Sequence, residues 1–419
     1  MGIKKVFKSK ISGTVYAPSS KSVILRAIAL SLLTNGNTVI RNINFSDDVL
    51  AAINIVTELG VKTNISKETL VLESKGKIKN STIYNLNCGE SGLCLRMFSP
   101  ILSLFKNRYI LDGTGSLKNR TVEMVEKGLN KLGASCISNS GFLPVEINGQ
   151  INGADITIDG SISSQFLSGL LIALPLCTQN SNIKVKNLKS RPYIDLTLKM
   201  VREAGIIIKE SEKNIFTVKG NQKYNPFDIV AEGDWSGASF MLTAGAISGE
   251  IIVKNLQNNS FQADKVILDV LGIAGAEIKK NNDFIVVKKK DLNPFEFDIS
   301  ESPDLFSPIA VLAANCDGKS IINGTNRLKY KESKRGEVIK KEFKLLGIRA
   351  EIFKNRIEIY GGNIGGGKVS ANNDHRIAMA LAIMGISSIK GVEIDGWESV
   401  SKSYKDFFSD LQNIGGNIK

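Results

Sequence analysis

The sequence predicts an α/β protein of two domains, each made of three β-α-β-α-β-β repeats, and two periodic markers carry that prediction. The first is a polar turn that opens an apolar run of helical length. It recurs as PSSKS (Pro18–Ser22), CGESG (Cys88–Gly92), GSISS (Gly160–Ser164), EGDWS (Glu232–Ser236), SESPD (Ser300–Asp304) and ANND (Ala371–Asp374), with steps of 70, 72, 72, 68 and 70 residues between the last residues of successive turns. The second is a glycine that stops a helix: Gly60, Gly133, Gly205, Gly275, Gly347 and Gly415, with steps of 73, 72, 70, 72 and 68 residues. Glycine just past a helix end is the common left-handed cap. Two independent markers with one period identify an internal repeat.

The first repeat can be followed element by element. A short alternating strand before Pro18 leads into the first turn and an apolar helix; a strand follows over Asn35–Asn42, then a polar loop, Ile43–Asp48, and a second helix, Val49–Leu59. Two short strands close the repeat around Val61–Ile65 and Thr69–Glu73. Strands alternating with helices imply parallel pairing, and the closing pair implies an antiparallel edge. The polar segment Lys219–Phe227, with Asn225-Pro226, reads as the junction between the two sets of three repeats. The strand within residues 1–17 has no helix before it and is free to complete the domain of the last repeat. The expected domains are therefore 18–228, and 1–17 joined to 229–419.

Composition narrows the function. The 419 residues carry a formal charge of +13, one histidine (His375) and five widely spaced cysteines without a CxxC pair. An odd, scattered cysteine set suits a reducing cytoplasm and argues against structural zinc, and a single histidine excludes a multi-histidine metal site. No metal and no cofactor is expected. No apolar run reaches the roughly 18 residues of a membrane span, and MGIKKVFKSK lacks the apolar region of a signal peptide. The plain reading of the charge is a surface of solvated lysines; a nucleic-acid surface is the sharper one, but the basic residues are scattered and not interleaved with aromatics, and steering of small anions explains the sign equally well.

The turns and loops hold the candidate chemistry. A helix N-terminus offers unpaired N–H groups and the positive end of the dipole, so six of them suggest a binder of small polyanions. The first turn offers Lys21, Ser22 and Arg26, the third Ser163, Ser164 and Gln165, and Gly92 opens the second helix with Arg96 one turn in. Each also admits a plain structural reading, as a solvated helix start or a capping serine. Asp304 reads as a helix cap or a general base, and Glu332, among Lys331, Lys334 and Arg335, as a salt-bridged surface or an acid/base group in an anion pocket. Asp374, His375 and Arg376 meet at the sixth helix start. The loops before the second helices add Arg120, Ser190, Arg191 and Lys402; loops on a rigid scaffold are where function concentrates.

These residues fall into motifs that resemble one family along the whole chain: SKSVILRA at 20–27, SSQ at 163–165, SRPYID at 190–195, SPD at 302–304, KESKR at 331–335, NDHR at 373–376 and SKSYKDF at 401–407. The family is that of the 3-phosphoshikimate 1-carboxyvinyltransferases, enolpyruvyl transferases of the shikimate pathway. The resemblance implies a discontinuous second domain, an active site in the cleft between the domains, and transfer of the enolpyruvyl group of phosphoenolpyruvate to the 5-hydroxyl of 3-phosphoshikimate. It implies a cytoplasmic, monomeric enzyme acting on two small molecules. It assigns 3-phosphoshikimate to Lys21, Ser22, Arg26, Ser163, Ser164, Gln165, Ser190, Tyr193, Asp304 and Lys331. It assigns phosphoenolpyruvate to Lys21, Gly92, Arg120, Gln165, Arg335, His375, Arg376 and Lys402. Asp304 would accept the hydroxyl proton, and Glu332 with Lys21 would manage protons at the enol carbon. Both substrates carry a phosphate and a carboxylate, groups that arginine pairs bidentately.

The chain departs from the family pattern at Glu90-Ser91-Gly92-Leu93, where Asn-(Ala/Ser)-Gly-Thr is usual, at Met97, at Thr121 after Arg120, and at Arg327, where an asparagine is expected. The related transferase acting on UDP-N-acetylglucosamine carries a cysteine in the loop that corresponds to GTGSLKNR; this loop has none. A non-enzymatic anion- or RNA-binding repeat protein is the alternative from another class, and salt-sensitive RNA binding without turnover would mark it.

Overall fold

At all six glycine stops the backbone turns left-handed, with φ of +104° at Gly60, +94° at Gly133, +89° at Gly205, +100° at Gly275, +87° at Gly347 and +104° at Gly415. The N–H of the next residue returns to the carbonyl five positions back: Val61 to Val56, Ala134 to Leu129, Ile206 to Val201, Ala276 to Leu271, Ile348 to Phe343 and Gly416 to Leu411. This is the Schellman closure, which any residue with a Cβ would strain.

The computed structural model describes residues 2–79, 81–282 and 284–419. Among the described residues the strands form six four-stranded sheets, each of one repeat pattern. In the second repeat Ile83–Asn87 runs parallel to Arg108–Asp112; Phe142–Asn148 pairs antiparallel to the latter, and Ser135–Asn139 closes the sheet antiparallel to Phe142–Asn148. The first-repeat elements lie close to the positions read from sequence: a strand at Asn35–Arg41, a helix at Asp47–Glu58, and strands at Lys62–Ser66 and Thr69–Lys75.

The chain divides into two compact units. One is Ser19–Ala231; the other joins the segment ending at Pro18 to Glu232–Lys419. The leading strands of the first and fourth repeats are consequently exchanged. Ile11–Tyr16, which precedes the first polar turn, pairs parallel with Gly249–Lys254 in the fourth repeat. Asp228–Val230 pairs parallel with Asn35–Arg41 and leads the first. The exchange follows from where the chain changes unit, directly after each leading strand. Ile3–Phe7 fills the last vacancy, lying antiparallel between Val392–Asp395 and Asn417–Ile418 in the sixth sheet. The polar segment 219–227 packs along its own unit: the buried Tyr224 hydroxyl donates to the Ile172 carbonyl, and the Phe227 carbonyl accepts from the Val39 N–H.

Each unit has its own apolar core. The first helix of every repeat is its centre: Lys21–Ser31, Gly92–Leu102, Gln165–Ala173, Trp235–Ser248, Phe306–Ala314 and His375–Ser387 are buried along nearly their whole length. A helix apolar on all sides belongs inside a protein, and only its ends remain for polar chemistry. That places the six polar turns. Among the described residues no helix is long and apolar enough to cross a membrane, and the five cysteines are free and buried.

Candidate active site

In the unit Ser19–Ala231 the candidate residues lie at the starts of the helices Lys21–Ser31, Gly92–Leu102, Gln165–Ala173 and Arg191–Glu203, with Arg120 in a loop. Lys21 is the first residue of its helix, and its ammonium lies 2.8 Å from Asp48 Oδ2. Arg26, one turn on, is buried. Its Nε donates to Thr197 Oγ1 at 2.9 Å, Nη1 to the Ser22 carbonyl at 2.8 Å, and Nη2 to Ser168 Oγ and the Tyr193 carbonyl at 3.3 and 3.2 Å. These partners are all neutral. Burial pushes the guanidinium down to about 10, with the Tyr193 phenol opposing it weakly. A buried cation without a counter-charge is costly, and an anion would relieve it.

The third helix start gives two serines different work. Ser163 Oγ accepts the Gln165 N–H at 3.2 Å, while Ser164 occupies the N-cap position with no capping bond from its side chain. The plain capping reading therefore fails for Ser164. Ser190 is held left-handed, at φ +55°, just before the helix Arg191–Glu203, a conformation a non-glycine residue adopts only when its surroundings impose it. Arg191 beside it pairs with Asp195 at 2.7 Å and Glu210 at 2.6 Å.

Gly92 lies under two guanidiniums. A Cβ at this position would fall 2.8 Å from Nη1 of both Arg96 and Arg120 and 3.8 Å from Gln165 Oε1. Arg96 Nη1 in turn donates to Gln165 Oε1 at 3.0 Å. Met97 and Leu93 are buried core residues. Ser91 caps the helix, its Oγ accepting the Cys94 N–H at 3.3 Å.

The other unit gathers a denser ionic cluster. Asp304 does not cap its helix. Its Oδ1 meets Lys331 Nζ at 3.0 Å and Arg335 Nη1 at 2.8 Å, and Oδ2 lies 3.5 Å from Arg376 Nη2. Arg335 is fully buried and also holds Asp374 Oδ2 through Nε at 2.9 Å and Glu332 through Nη2. Asp374 caps the helix His375–Ser387 by accepting the Arg376 N–H at 3.0 Å, and takes the Ser333 hydroxyl at 2.9 Å. His375 is buried, with Nδ1 4.0 Å from Asp374 Oδ1. Asn372 and Asn373 are left-handed in the turn before it, and Glu342 fixes that turn by accepting the Ser370 N–H and the Asn372 amide at 3.0 and 3.3 Å. Lys402 donates to the Asn373 carbonyl at 2.6 Å. Arg327 reaches the Ser300 carbonyl at 3.2 Å.

Two carboxylates in this unit are driven in opposite directions. Burial resists ionisation of Asp304, but Arg376, Lys331 and Arg335 outweigh it and hold the carboxyl well below the usual range. Asp264, fully buried, takes the Ser236 hydroxyl on Oδ2, and Oδ1 has no hydrogen-bond partner among the described residues. Burial, then the negative charges of Asp304 and Asp234, push Asp264 up to about 7 against the pull of Arg376 and the Ser236 bond. A folded pKa above the unfolded value near 4 means that the stability Asp264 contributes is complete below about pH 4 and lost as the pH rises through about 7. For Asp304 the sign is reversed: its contribution is present above about pH 4 and lost below it. Asp264→Asn, which keeps an acceptor for Ser236, should therefore melt ever higher relative to the parent from pH 5 to pH 8, by about 5 °C at the upper end. Parallel melting curves across that range would show that Asp264 does not titrate there.

The structure thus brings Lys21, Ser22, Arg26, Ser163, Ser164, Gln165, Ser190, Tyr193, Gly92 and Arg120 into one unit, and Asp304, Lys331, Glu332, Arg335, His375, Arg376 and Lys402 into the other. Asp374 stands among the sequence candidates of the sixth turn, though no substrate was assigned to it; Asp48 and Asp264 were not singled out. Asp48 lies in the polar loop Ile43–Asp48, which carries no cation, and Asp264 offers no local signal. Among the described residues no group of three or more histidine, cysteine or acidic side chains is arranged to hold a metal ion.

The repeat pattern is that of the enolpyruvyl transferases. The enolpyruvyl transferase NikO from Streptomyces tendae matches at a TM-score of 0.80 with 15% identity, covering 100% of this chain and 98% of its own. An EPSP synthase from Acinetobacter baumannii matches at 0.83 with 24% identity, covering 100% and 99%; at these identities the likeness speaks for the fold. Sequence carries it further. The model of EPSP synthase (3-phosphoshikimate 1-carboxyvinyltransferase) matches residues 7–411. Proteins of that name from Clostridium perfringens and Methanosarcina acetivorans are 36% and 37% identical over 423 and 424 residues, covering 100% and 99% of this chain and 100% and 98% of theirs. The chain belongs to the EPSP synthase family.

Proposed function

We propose that the two clusters serve one reaction, transfer of the enolpyruvyl group of phosphoenolpyruvate to the 5-hydroxyl of 3-phosphoshikimate, the activity of the family to which the chain belongs. The observation that carries the residue assignment is the Asp304 cluster: an ionised carboxylate held by three cations that an anionic substrate would compete for. In the unliganded enzyme those cations suppress its basicity. Phosphate and carboxylate groups drawn to Lys331, Arg335 and Arg376 would release Asp304 to accept the hydroxyl proton.

As that proton leaves, the 5-oxygen bonds to C2 of phosphoenolpyruvate, and the C2–C3 π electrons take a proton at C3, giving a tetrahedral intermediate. Loss of phosphate from C2 and of a C3 proton then restores the double bond. Glu332 and Lys21 exchange the C3 protons. Arg26, Ser163, Ser164, Gln165, Ser190 and Tyr193 hold 3-phosphoshikimate. Gly92, Arg120, His375, Arg376 and Lys402 hold phosphoenolpyruvate, with Arg335 exchanging a protein carboxylate for the ligand. Charge compensation by fixed cations is the main source of acceleration this arrangement offers. The buried free thiols are compatible with a reducing cytoplasm, where the enzyme works as a monomer on two small molecules.

Phosphate release from phosphoenolpyruvate tests the reading. Release is expected only with 3-phosphoshikimate present, and is expected to survive a chelator. Release that is independent of 3-phosphoshikimate, or abolished by the chelator and restored by a divalent ion, would overturn it.

A further inference from the structure

The turn Cys88–Gly92 is fastened to the end of the strand at Asp112 and to the loop 113–120 that follows it. The Cys88 N–H donates to the Asp112 carbonyl at 2.8 Å, the Thr114 N–H to the Gly89 carbonyl at 2.7 Å, and the Ser116 N–H to Glu90 Oε2 at 2.8 Å. The first two are backbone bonds that any sequence could make. The third depends on the side chain at position 90. Gly115 is shaped to it: its φ is +50°, and a Cβ there would fall on the Glu90 carboxylate. The loop then makes the 3₁₀ turn Gly115–Asn119, closed by the Arg120 N–H on the Leu117 carbonyl at 3.1 Å, so Arg120 leaves the turn from a fixed point. Its guanidinium arrives over Gly92, two residues beyond Glu90. One short turn thus both forms the helix start beneath Arg120 and anchors the loop that delivers it.

We propose that Glu90 is a positioning residue for phosphoenolpyruvate: by accepting the Ser116 N–H, its carboxylate seats the 113–120 loop and holds Arg120 over Gly92. The proposal rests on the assignment of Arg120 to that substrate. The Ser116 N–H needs an acceptor, and the Glu90 carboxylate supplies it.

Steady-state kinetics of variants separate the possibilities. Glu90→Ala should raise KM for phosphoenolpyruvate about 10- to 100-fold, the range for losing a hydrogen bond to a charged group, with kcat and KM for 3-phosphoshikimate changing by about 3-fold or less. Glu90→Gln, which retains an acceptor, should restore KM to within about 3-fold. In an Arg120→Ala background Glu90→Ala should add nothing, because it acts through Arg120. If Glu90→Ala does not fold, Gly115→Ala, which crowds the carboxylate from the loop side, must produce the same selective rise. If Arg120→Ala leaves KM for phosphoenolpyruvate unchanged, the assignment of Arg120 fails and the proposal falls with it. If Arg120→Ala raises KM but Glu90→Ala does not, if the two effects multiply, or if Glu90→Gln behaves like Glu90→Ala, the assignment stands and the proposal is overturned.

Discussion

Asp304→Asn should lower kcat by about 10²–10⁴-fold, the range for removing a positioned acid/base group. The amide keeps the size of the side chain and an acceptor for Lys331 or Arg335, so the loss isolates basicity. Affinity for 3-phosphoshikimate should change far less, and should rise if anything: Asp304 neutralises part of Lys331, Arg335 and Arg376 in the unliganded enzyme, and its removal leaves those cations to the ligand. Ser164→Ala provides the contrast, raising KM with little effect on kcat, as expected for lost uniform binding. The same electrostatics set the pH profile. The three cations hold Asp304 well below the usual range in the free enzyme, so the acid limb of kcat/KM from this group lies at low pH. Bound anions draw the cations off, and the acid limb of kcat should lie higher. Near-normal kcat in Asp304→Asn would move the role of base to Glu332 or Lys21.

The repeat was legible because its two signals are local. A glycine that must be left-handed and a polar turn before an apolar helix depend only on neighbouring residues, and both recur six times. Which repeat each leading strand joins was not legible. Ile11–Tyr16 and Asp228–Val230 have equal claims to lead either the first or the fourth repeat, and only the points at which the chain changes unit decide between them. The site was legible where a cation or hydroxyl stood in a marked turn. What sequence hid was pairing. Arg335 reads as a ligand-binding cation, yet its Nε, Nη1 and Nη2 are all occupied by protein carboxylates. Arg26 reads as part of a solvated helix start or as a 3-phosphoshikimate-binding cation, and it is buried among neutral oxygens. Burial and partner are long-range properties: Arg26 finds Thr197 across 171 positions and Arg335 finds Asp374 across 39.

That difference in partners predicts opposite outcomes for two superficially equal substitutions. Arg335→Met should destabilise its unit by about 3–5 kcal/mol, because Asp374, Glu332 and Asp304 would lose a shared counter-charge while remaining largely buried. At about 2–4 °C per kcal/mol for a unit of this size, the melting temperature should drop by about 10 °C. Asp374 would also be left capping its helix with an uncompensated charge, so the turn that presents His375 and Arg376 should loosen first, and protection from hydrogen exchange there should fall before it does elsewhere in the unit. Arg26→Met removes a buried cation that has no carboxylate partner among the described residues. The hydroxyls of Thr197 and Ser168 can turn to the Tyr193 carbonyl and to each other, at 2.9 and 3.0 Å, so the loss of stability should be about 1 kcal/mol or less, while affinity for 3-phosphoshikimate collapses. Melting curves and calorimetric binding on both variants test the pair. Equal destabilisation by the two substitutions would mean that the Arg335 carboxylates protonate or find other partners when it is removed, and that the cluster is not held together by that arginine.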